Sequence, residues 1–180
     1  MTSSEHTSSG LIDTGFVLRY EPLYDLTDLE AEIFDSIAPK VVRREGYKRK
    51  NFLKVVEWKA VAVLPQAERL AADDIDYITG VALDEDTPNH LRLPLLKVLP
   101  GVGNPLASAL LTVFDPKKYA IIDARAVGVL HDHGLLESAN PQQVDYGAYR
   151  KLVKSLAKGA NCAPLDLYRA LIAYSRQPKA

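Results

Sequence analysis

The stretch LPGVGNPLASALLTVF, residues 99–114, decides the fold class of this chain. The apolar segment before it runs into Pro100, and because proline is disfavoured inside a helix, a first helix must end there. Gly101 and Gly103 can adopt backbone angles that other residues avoid, so the chain can turn sharply between them. The order of residues predicts a helix, a tight glycine turn and a second helix.

The second helix has a clear start, with Asn104 as a favourable N-cap and Pro105 as a favourable first residue. Its apolar residues follow the i, i+3, i+4, i+7 spacing of one helical face and are Ala107, Leu110, Leu111 and Phe114. Since glycine has no side chain, backbone N–H groups stay accessible where this helix begins, which suits a phosphate group. The predicted phosphate contacts are Pro100, Gly101, Val102, Gly103 and Asn104.

Most of the remaining chain also reads as helix. TDLEAEIFDSI, residues 27–37, opens with a capping box of Thr27 and Glu30. Other helical segments are HLRLPLLKVL (90–99), KNFLKVVEWKA (50–60), DIDYITGVALD (74–84), NPQQVDYGAYRKLVKSLAKG (140–159, with Asn140 as cap and Gly159 as stop) and APLDLYRALIAYSR (163–176). Only GFVLRYEPLY, residues 15–24, has the character of an extended segment. We therefore predict an all-α fold, a compact helical bundle around a central helix-hairpin-helix.

Composition narrows the class of protein. The 180 residues are 47% hydrophobic, which is typical of a globular chain, and no apolar run approaches the roughly 18 residues of a membrane span. The opening MTSSEHTSSG predicts a disordered polar tail over residues 1–14, followed by one helical domain over residues 15–180. The single Cys162 excludes an internal disulfide and an iron–sulfur cluster. We expect a cytoplasmic protein without a membrane or an obligate protein partner.

Histidine does not indicate a metal site either. His131 and His133 flank Asp132, but two histidines two positions apart on a helix point in different directions. We predict no metal held by side chains.

Charge is segregated along the chain although the formal net charge is only −1. Residues 40–59 carry eight basic residues against two acids, and residues 68–86 are strongly acidic. Such segregation predicts a positive face that attracts a polyanion, with Arg44, Arg49 and Lys50 as the contacts. The alternative is that these side chains only solvate a helix.

The helix over residues 50–60 has an unusual arrangement. Its apolar face is centred near Lys59, while Trp58 lies far from that centre. An outward Trp58 would be a stacking platform for a base, and an inward Lys59 would reach a cleft wall or a phosphate. The alternatives are a Trp58 covered by another helix and a Lys59 that reaches solvent from the helix end. Tyr47 is a second stacking candidate, with a core or surface tyrosine as its alternative.

The hairpin, the small-residue helix after it and the sequence IIDAR at residues 121–125 together resemble the helix-hairpin-helix Gly/Pro-Asp superfamily of DNA glycosylases. The resemblance is specific from about Leu95 to Leu130, and VVEWKA and LDLYRALIAYSR are similar to segments of short bacterial members. It implies a DNA glycosylase-like bundle whose hairpin amides hold phosphates of double-stranded DNA, with a monovalent cation on the hairpin backbone. It also places Asp123 at the pocket of the flipped base, and it implies a nucleoid-associated protein.

Asp123 is then the candidate catalytic residue. Its carboxylate would stabilise the sugar cation that forms as the glycosidic bond breaks, or orient water, and the N-terminus of the following helix would keep it ionised. The alternative is that Asp123 only caps that helix. Arg125 is a candidate phosphate contact, with a surface salt bridge as the commoner role of such a residue.

One departure from the family pattern limits the chemistry. Bifunctional members of the superfamily carry a Schiff-base lysine two positions after the second hairpin glycine, and here that position is Pro105. The expected activity is therefore that of a monofunctional DNA glycosylase, a hydrolase in base excision repair without β-lyase activity. Two alternatives stay open: a non-catalytic, sequence-independent DNA-binding protein on the same scaffold, and a helical protein-interaction module.

Overall fold

The computed structural model describes residues 11–178, and within them every regular element is helical. The α-helices are α1 (Thr14–Tyr20), α2 (Asp28–Glu32), α3 (Ala38–Arg44), α4 (Arg49–Lys59), α5 (Leu64–Ala67), α6 (Ala72–Leu83), α7 (Asn89–Leu96), α8 (Asn104–Phe114), α9 (Ala124–Asp132), α10 (Tyr146–Gly159) and α11 (Pro164–Ser175). Short 3₁₀ turns cover Glu21–Leu23 and Val61–Val63. The prediction of an all-α fold is confirmed.

The first helix corrects the extended conformation predicted for residues 15–24. Asp13 caps α1, because its carboxylate accepts the N–H of Phe16 at 2.9 Å. Phe16 and Val17 are buried while Leu18 is exposed, so the pattern fits a helix that packs on one side.

The boundary of the predicted tail also differs. Ile12 is buried in the core, so the ordered domain begins before residue 15. Residues 1–10 of that predicted tail lie outside the described residues.

A π-helical turn over Ile33–Ile37 joins α2 to α3 into one continuous helical stretch. Thr27 caps it through its hydroxyl, which accepts the N–H of Glu30 at 3.2 Å, as the capping box predicts. The carboxylate of Glu30 does not return to Thr27 but points into the molecule, where it is fully buried. Only half of the predicted capping box is therefore formed.

The hairpin lies between α7 and α8 as predicted. Gly101 has a φ of 83°, in the left-handed region that favours glycine, and the N–H of Val102 closes the turn on the carbonyl of Leu99 at 3.1 Å. The N-cap of α8 is Gly103, not Asn104. Asn104 is the first helical residue instead, and its side-chain amide donates to the carbonyl of Pro141 at 3.4 Å.

Helix α8 is the centre of the core. Every residue from Leu106 to Val113 is buried, and α3, α4 and α7 pack around the helix. The small residues at 107–109 allow this close approach, because a larger side chain would hold the neighbouring backbones apart. Helix α11 packs against α1, α9 and α10 and closes the other side of the bundle.

The start of α10 differs from its prediction. The helix begins at Tyr146 with Asp145 as its cap, since the carboxylate of Asp145 accepts the N–H of Ala148 at 2.7 Å. Asn140 instead caps a separate turn by accepting the N–H of Gln142. The predicted end at Gly159 is confirmed. Among the described residues, no helix combines the length and the apolar character that a bilayer crossing requires.

Candidate active site

The segment that leads to Asp123 is buried and held by side chains. Its backbone is fixed at three points: Ser108 accepts the N–H of Ile122 at 3.0 Å, Tyr149 donates to the carbonyl of Ile121 at 2.8 Å and Tyr146 donates to the carbonyl of Ala120 at 2.9 Å. Ser108 lies one turn after the hairpin, so Asp123 is held close to the start of α8. A side chain on so constrained a backbone has a defined position, which a catalytic group needs.

Asp123 is the N-cap of α9 and makes three hydrogen bonds. Its Oδ1 accepts the N–H of Ala126 at 2.9 Å. Its Oδ2 accepts the hydroxyl of Tyr168 at 2.6 Å and the ammonium of Lys59 at 2.8 Å. A carboxylate offers about four acceptor positions, so one position on Oδ1 stays open. The side chain is 16% exposed, so part of it meets solvent.

The surroundings keep this carboxyl ionised. Burial alone raises the pKa of Asp123, but the Lys59 ammonium and the hydrogen bonds from Ala126 and Tyr168 outweigh burial, so the pKa lies below its ordinary value. Burial and the adjacent anion raise the pKa of Tyr168 well above its ordinary value, which keeps its hydroxyl a donor. Asp123 is thus ionised at neutral pH and is paired with the Lys59 ammonium.

Lys59 points inward, in agreement with the orientation predicted from the helix face. It is the last residue of α4, its side chain is 11% exposed, and besides Asp123 it donates to the hydroxyl of Tyr168. Its ammonium also lies 4.5 Å from the ring centroid of Tyr168, within range of a cation–π contact.

Trp58 is partly buried and does not form an exposed stacking surface. Its ring meets that of Phe34 edge to face, with centroids 5.7 Å apart, and Phe34 belongs to the π-helical turn. The alternative of a tryptophan covered by another helix therefore fits the structure better than an outward stacking surface.

A second buried polar cluster lies beside Tyr168. The fully buried carboxylate of Glu30 accepts the hydroxyl of Tyr24 at 2.7 Å and pairs with Arg169 at 3.0 Å. Arg169 follows Tyr168 in α11, so this pair fixes α11 against α2 and with it the position of Tyr168. Burial, followed by the bond to Glu30, raises the pKa of Tyr24 far above its ordinary value.

The hairpin can contact a ligand mainly through its backbone N–H and carbonyl groups. Gly101 is exposed and Gly103 is partly exposed, and within residues 11–178 their N–H groups bond to no backbone acceptor. Val102 and Asn104 are buried, so those two predicted contacts can meet DNA only through the main chain. The carbonyls of Pro100, Gly101 and Val102 accept no backbone N–H in the same range, so the oxygen donors fit the monovalent cation that the resemblance implies.

The predicted positive face is largely neutralised within the molecule. Arg44 pairs with Asp76 at 2.6 Å, and Asp76 belongs to the acidic segment that follows the basic run. Arg49 donates to the carbonyls of Glu68 and Leu70. Of the three predicted contacts in this run only Lys50 is exposed without such a bond. Both arginines have acceptors within the molecule, and the expectation that all three residues contact DNA stays a prediction.

Tyr47 is a core residue, which corrects its prediction as a stacking candidate. It is fully buried, and its hydroxyl donates to the carbonyl of Leu110 at 2.7 Å. The two histidines have separate surroundings: the Nδ1 atom of His133 bonds to the carbonyl of Val129, and that of His131 lies 3.5 Å from Asp132.

An open cleft of about 580 Å³ lies beside the first turn of α9. Ala124 and Arg125 line one wall, and the partly buried rings of Tyr20 and Tyr174 line another. Aromatic side chains opposite an exposed arginine could hold a flat polar ring. The cleft was not predicted, because its walls come from α1, α9 and α11, which are far apart in sequence.

Three further side chains at the site were also missed: Tyr168, Arg169 and the inward-facing Glu30. The only sequence signal for them is the position of Glu30 in a capping box. Comparisons of the chain with protein-family models, with curated proteins and with solved structures give no match, so the geometry above is what characterises the site.

Proposed function

We propose that this protein binds double-stranded DNA and hydrolyses the N-glycosidic bond of a damaged or modified base, leaving an abasic site. The observation that carries the proposal is the ionised carboxylate of Asp123, which is mostly buried and keeps one acceptor position open on Oδ1. A DNA glycosylase-like bundle is the architecture that accompanies this proposal.

The proposed reaction needs a stabiliser for positive charge. As the bond from C1′ to the base nitrogen breaks, its electron pair leaves with the base and positive charge develops on C1′ and the ring oxygen of the sugar. The carboxylate stabilises that charge from its open position, and a preorganised anion in a site with little water does so strongly. Water then adds its oxygen to C1′, and its proton goes to the departing base through solvent.

Lys59 and Tyr168 act as positioning residues in this proposal. Their bonds to Oδ2 orient the carboxylate and keep it ionised, so that Oδ1 faces the reacting sugar. The ammonium of Lys59 is engaged in an ion pair and carries no free electron pair, so it does not attack C1′.

Binding would use the hairpin. The amides of Gly101 and Gly103, which bond to no backbone acceptor within residues 11–178, suit a phosphate oxygen at the N-terminus of α8. A monovalent cation held by the carbonyls of Pro100, Gly101 and Val102 would supply positive charge to the same phosphate. The extruded base would enter the cleft beside Arg125.

A non-catalytic DNA-binding protein is the second candidate. The ion pair also favours this candidate. The Asp123 carboxylate accepts hydrogen bonds from Lys59, Tyr168 and Ala126, and a carboxylate with three such bonds can serve a purely structural role. The two candidates share the hairpin and differ only in whether Asp123 meets a substrate.

A panel of duplexes that each carry one damaged or modified base tests the proposal. We expect at least one duplex to yield strand breaks after alkali but not before it, because the product is an intact abasic site. Borohydride should trap no covalent adduct in the same reaction. DNA binding without a product on any duplex would favour the second candidate, and no binding at low salt would exclude both.

A further inference from the structure

A second cleft of about 540 Å³ opens between α7 and the start of α10. Tyr146, which holds the carbonyl of Ala120, lines it, so the cleft adjoins the segment that leads to Asp123. Lys97, Arg150 and Lys151 line it together with the polar side chain of Asn89. Leu93 and Val144 add apolar surface. The volume lies within the range of small-ligand sites and exceeds what a bare phosphate ion needs.

Positive charge is crowded at this cleft. Beyond the three basic lining residues, Lys118 interacts electrostatically with Arg92 and Lys154 as well as with the lining residue Arg150, and Asp115 partly offsets these positive charges. Burial first and then these like charges lower the pKa of Lys118. Within residues 11–178, none of the six forms an ion pair within 4.0 Å. Asp115 acts on Lys118 and Asp145 lines the cleft, but these two acids are outnumbered by the six cations, and a bound anion would reduce the remaining repulsion.

Backbone N–H groups and buried polar atoms at this cleft also favour a polar, anionic ligand. The cleft contains the N-terminus of α10, a 14-residue helix, where Asp145 accepts the N–H of Ala148 but the N–H groups of Tyr146 and Gly147 bond to no backbone acceptor among the described residues. Asn104 also lines the cleft, is only 7% exposed, and its side-chain oxygen has no donor. The nearby Arg92 is 4% exposed and likewise keeps one unpaired nitrogen, Nη1.

We propose that this cleft binds the phosphate group of a nucleotide. Lys97, Lys151 and the first amides of α10 take the phosphate, and the remaining volume takes the sugar and base, whose N–H or O–H groups offer a donor for Asn104. The phosphate comes either from a free nucleoside monophosphate or from the end of a DNA strand. The site does not depend on the glycosylase activity proposed for Asp123.

Calorimetric titration of the full chain tests the site with three probes: deoxyadenosine monophosphate, inorganic phosphate and deoxyadenosine. We expect the monophosphate to bind more tightly than inorganic phosphate, and deoxyadenosine not to bind. Lys97→Ala with Lys151→Ala should weaken the monophosphate by at least about tenfold, because two charged contacts are lost. Both side chains are exposed, so the variant should fold. The control, Lys40→Ala with Arg43→Ala, removes the same charge elsewhere and should bind like the wild type.

Duplexes with a 5′-phosphate and a 5′-hydroxyl distinguish the two sources. Tighter binding of the phosphorylated duplex, lost in Lys97→Ala with Lys151→Ala, would assign the site to a strand end. Equal binding of both duplexes together with monophosphate binding would assign it to the free nucleotide. The proposal is overturned if neither probe class binds, or if the double variant binds the monophosphate as the wild type does.

Discussion

Among the individual residues, Lys59 and Asp123 form the ion pair on which the proposed chemistry depends. Lys59 and Asp123 are 64 positions apart in sequence, and their charged atoms lie 2.8 Å apart with little exposure to solvent. A buried pair contributes little over an apolar pair of the same size, but removing one partner strands a charge in a medium of low polarity. The two residues are therefore coupled in stability as well as in chemistry.

Asp123→Asn should unfold more easily than the wild type, although asparagine can still cap α9. We expect a loss of about 3 kcal/mol at pH 7, because the Lys59 ammonium is left buried without its anion. Adding Lys59→Met to Asp123→Asn should restore most of the lost stability, since the double variant has no buried ammonium without a partner. Urea unfolding of the wild type, both single variants and the double variant measures this coupling. Strictly additive losses would show that the pair is not coupled.

Acid should weaken the same pair. The pKa of Asp123 is lowered in the fold, so its ionised form stabilises the protein fully above the ordinary value of about 3.9, and this contribution is lost as pH falls through the folded pKa. The free energy of unfolding of the wild type minus that of Lys59→Met should therefore shrink between pH 5 and pH 2, as denaturant titrations at several pH values can measure. A difference that stays constant over this range would contradict the pairing.

Two of the residues at this site, Lys59 and Asp123, were predicted from the sequence. The inward direction of Lys59 follows from the apolar face of its own helix, and the capping role of Asp123 follows from its position before α9. Tyr168 and Arg169 gave no local signal, because their contacts are with residues 45 and 139 positions away in sequence. Contacts of that separation depend on how helices pack, which helical periodicity does not specify.

At the scale of elements, the hairpin is the best-predicted part of the chain. Pro100 and the two glycines define it, and both flanking helices lie where the pattern puts them. Helix starts were less reliable: Gly103 caps α8 and Asp145 caps α10, in place of the asparagines predicted. Several residues near each start can cap a helix, and tertiary contacts decide between them. Tertiary packing also made a helix of residues 14–20, whose apolar pattern is short enough to fit a strand.

The two hairpin glycines should respond differently to substitution. Gly103 has a φ of −96°, and an added Cβ would meet only Pro105 at 3.8 Å, so Gly103→Ala should lose only about 0.5 kcal/mol, because alanine is a poorer N-cap than glycine. Its methyl group would keep DNA from the hairpin amides, and we expect several-fold weaker binding in a fluorescence titration. Unchanged affinity in the folded variant would exclude the hairpin from the interface.

Gly101→Ala serves as the contrasting variant. Its φ of 83° strains any residue with a Cβ, and the added atom would lie 3.0 Å from the side chain of Gln66. We expect a loss of about 1–2 kcal/mol in stability, measured by thermal or urea unfolding. Stability equal to that of Gly103→Ala would contradict the turn geometry.

Across the whole molecule, ion pairs between distant segments change the distribution of charge that the linear sequence predicts. The basic and acidic segments face each other through Arg44 and Asp76, so much of the predicted positive face is neutralised. A group of cations without an ion pair within 4.0 Å among residues 11–178 lies instead at the cleft between α7 and α10, assembled from residues 92–154. The sequence does not mark that cluster, since its members come from separate segments, with Arg92 and Lys97 in one, Lys118 in another and residues 150–154 in a third.

The salt dependence of DNA binding should distinguish the paired from the unpaired cations. Lys50→Ala should reduce the slope of log affinity against log salt by about 1, because an exposed lysine releases one counter-ion on binding a phosphate. Arg44→Ala should leave the slope unchanged, since Asp76 already neutralises Arg44. Equal reductions in the two variants would show that DNA displaces the internal pair.

The single-turnover rate of base excision by two variants, on whichever duplex the wild type acts, shows whether the Asp123 carboxylate takes part in the reaction. Lys59→Met keeps the carboxyl group of Asp123, and because burial without the Lys59 ammonium raises the pKa of that group, the rates are compared at a pH of about 8, where it is ionised. Lys59→Met with Asp123→Asn lacks the carboxylate, and neither variant leaves the Lys59 ammonium buried without its partner. If the Asp123 carboxylate stabilises the sugar cation, the double variant should be slower than Lys59→Met by about 100-fold or more, with DNA affinity unchanged. Equal excision rates in the two folded variants would contradict a catalytic role for Asp123.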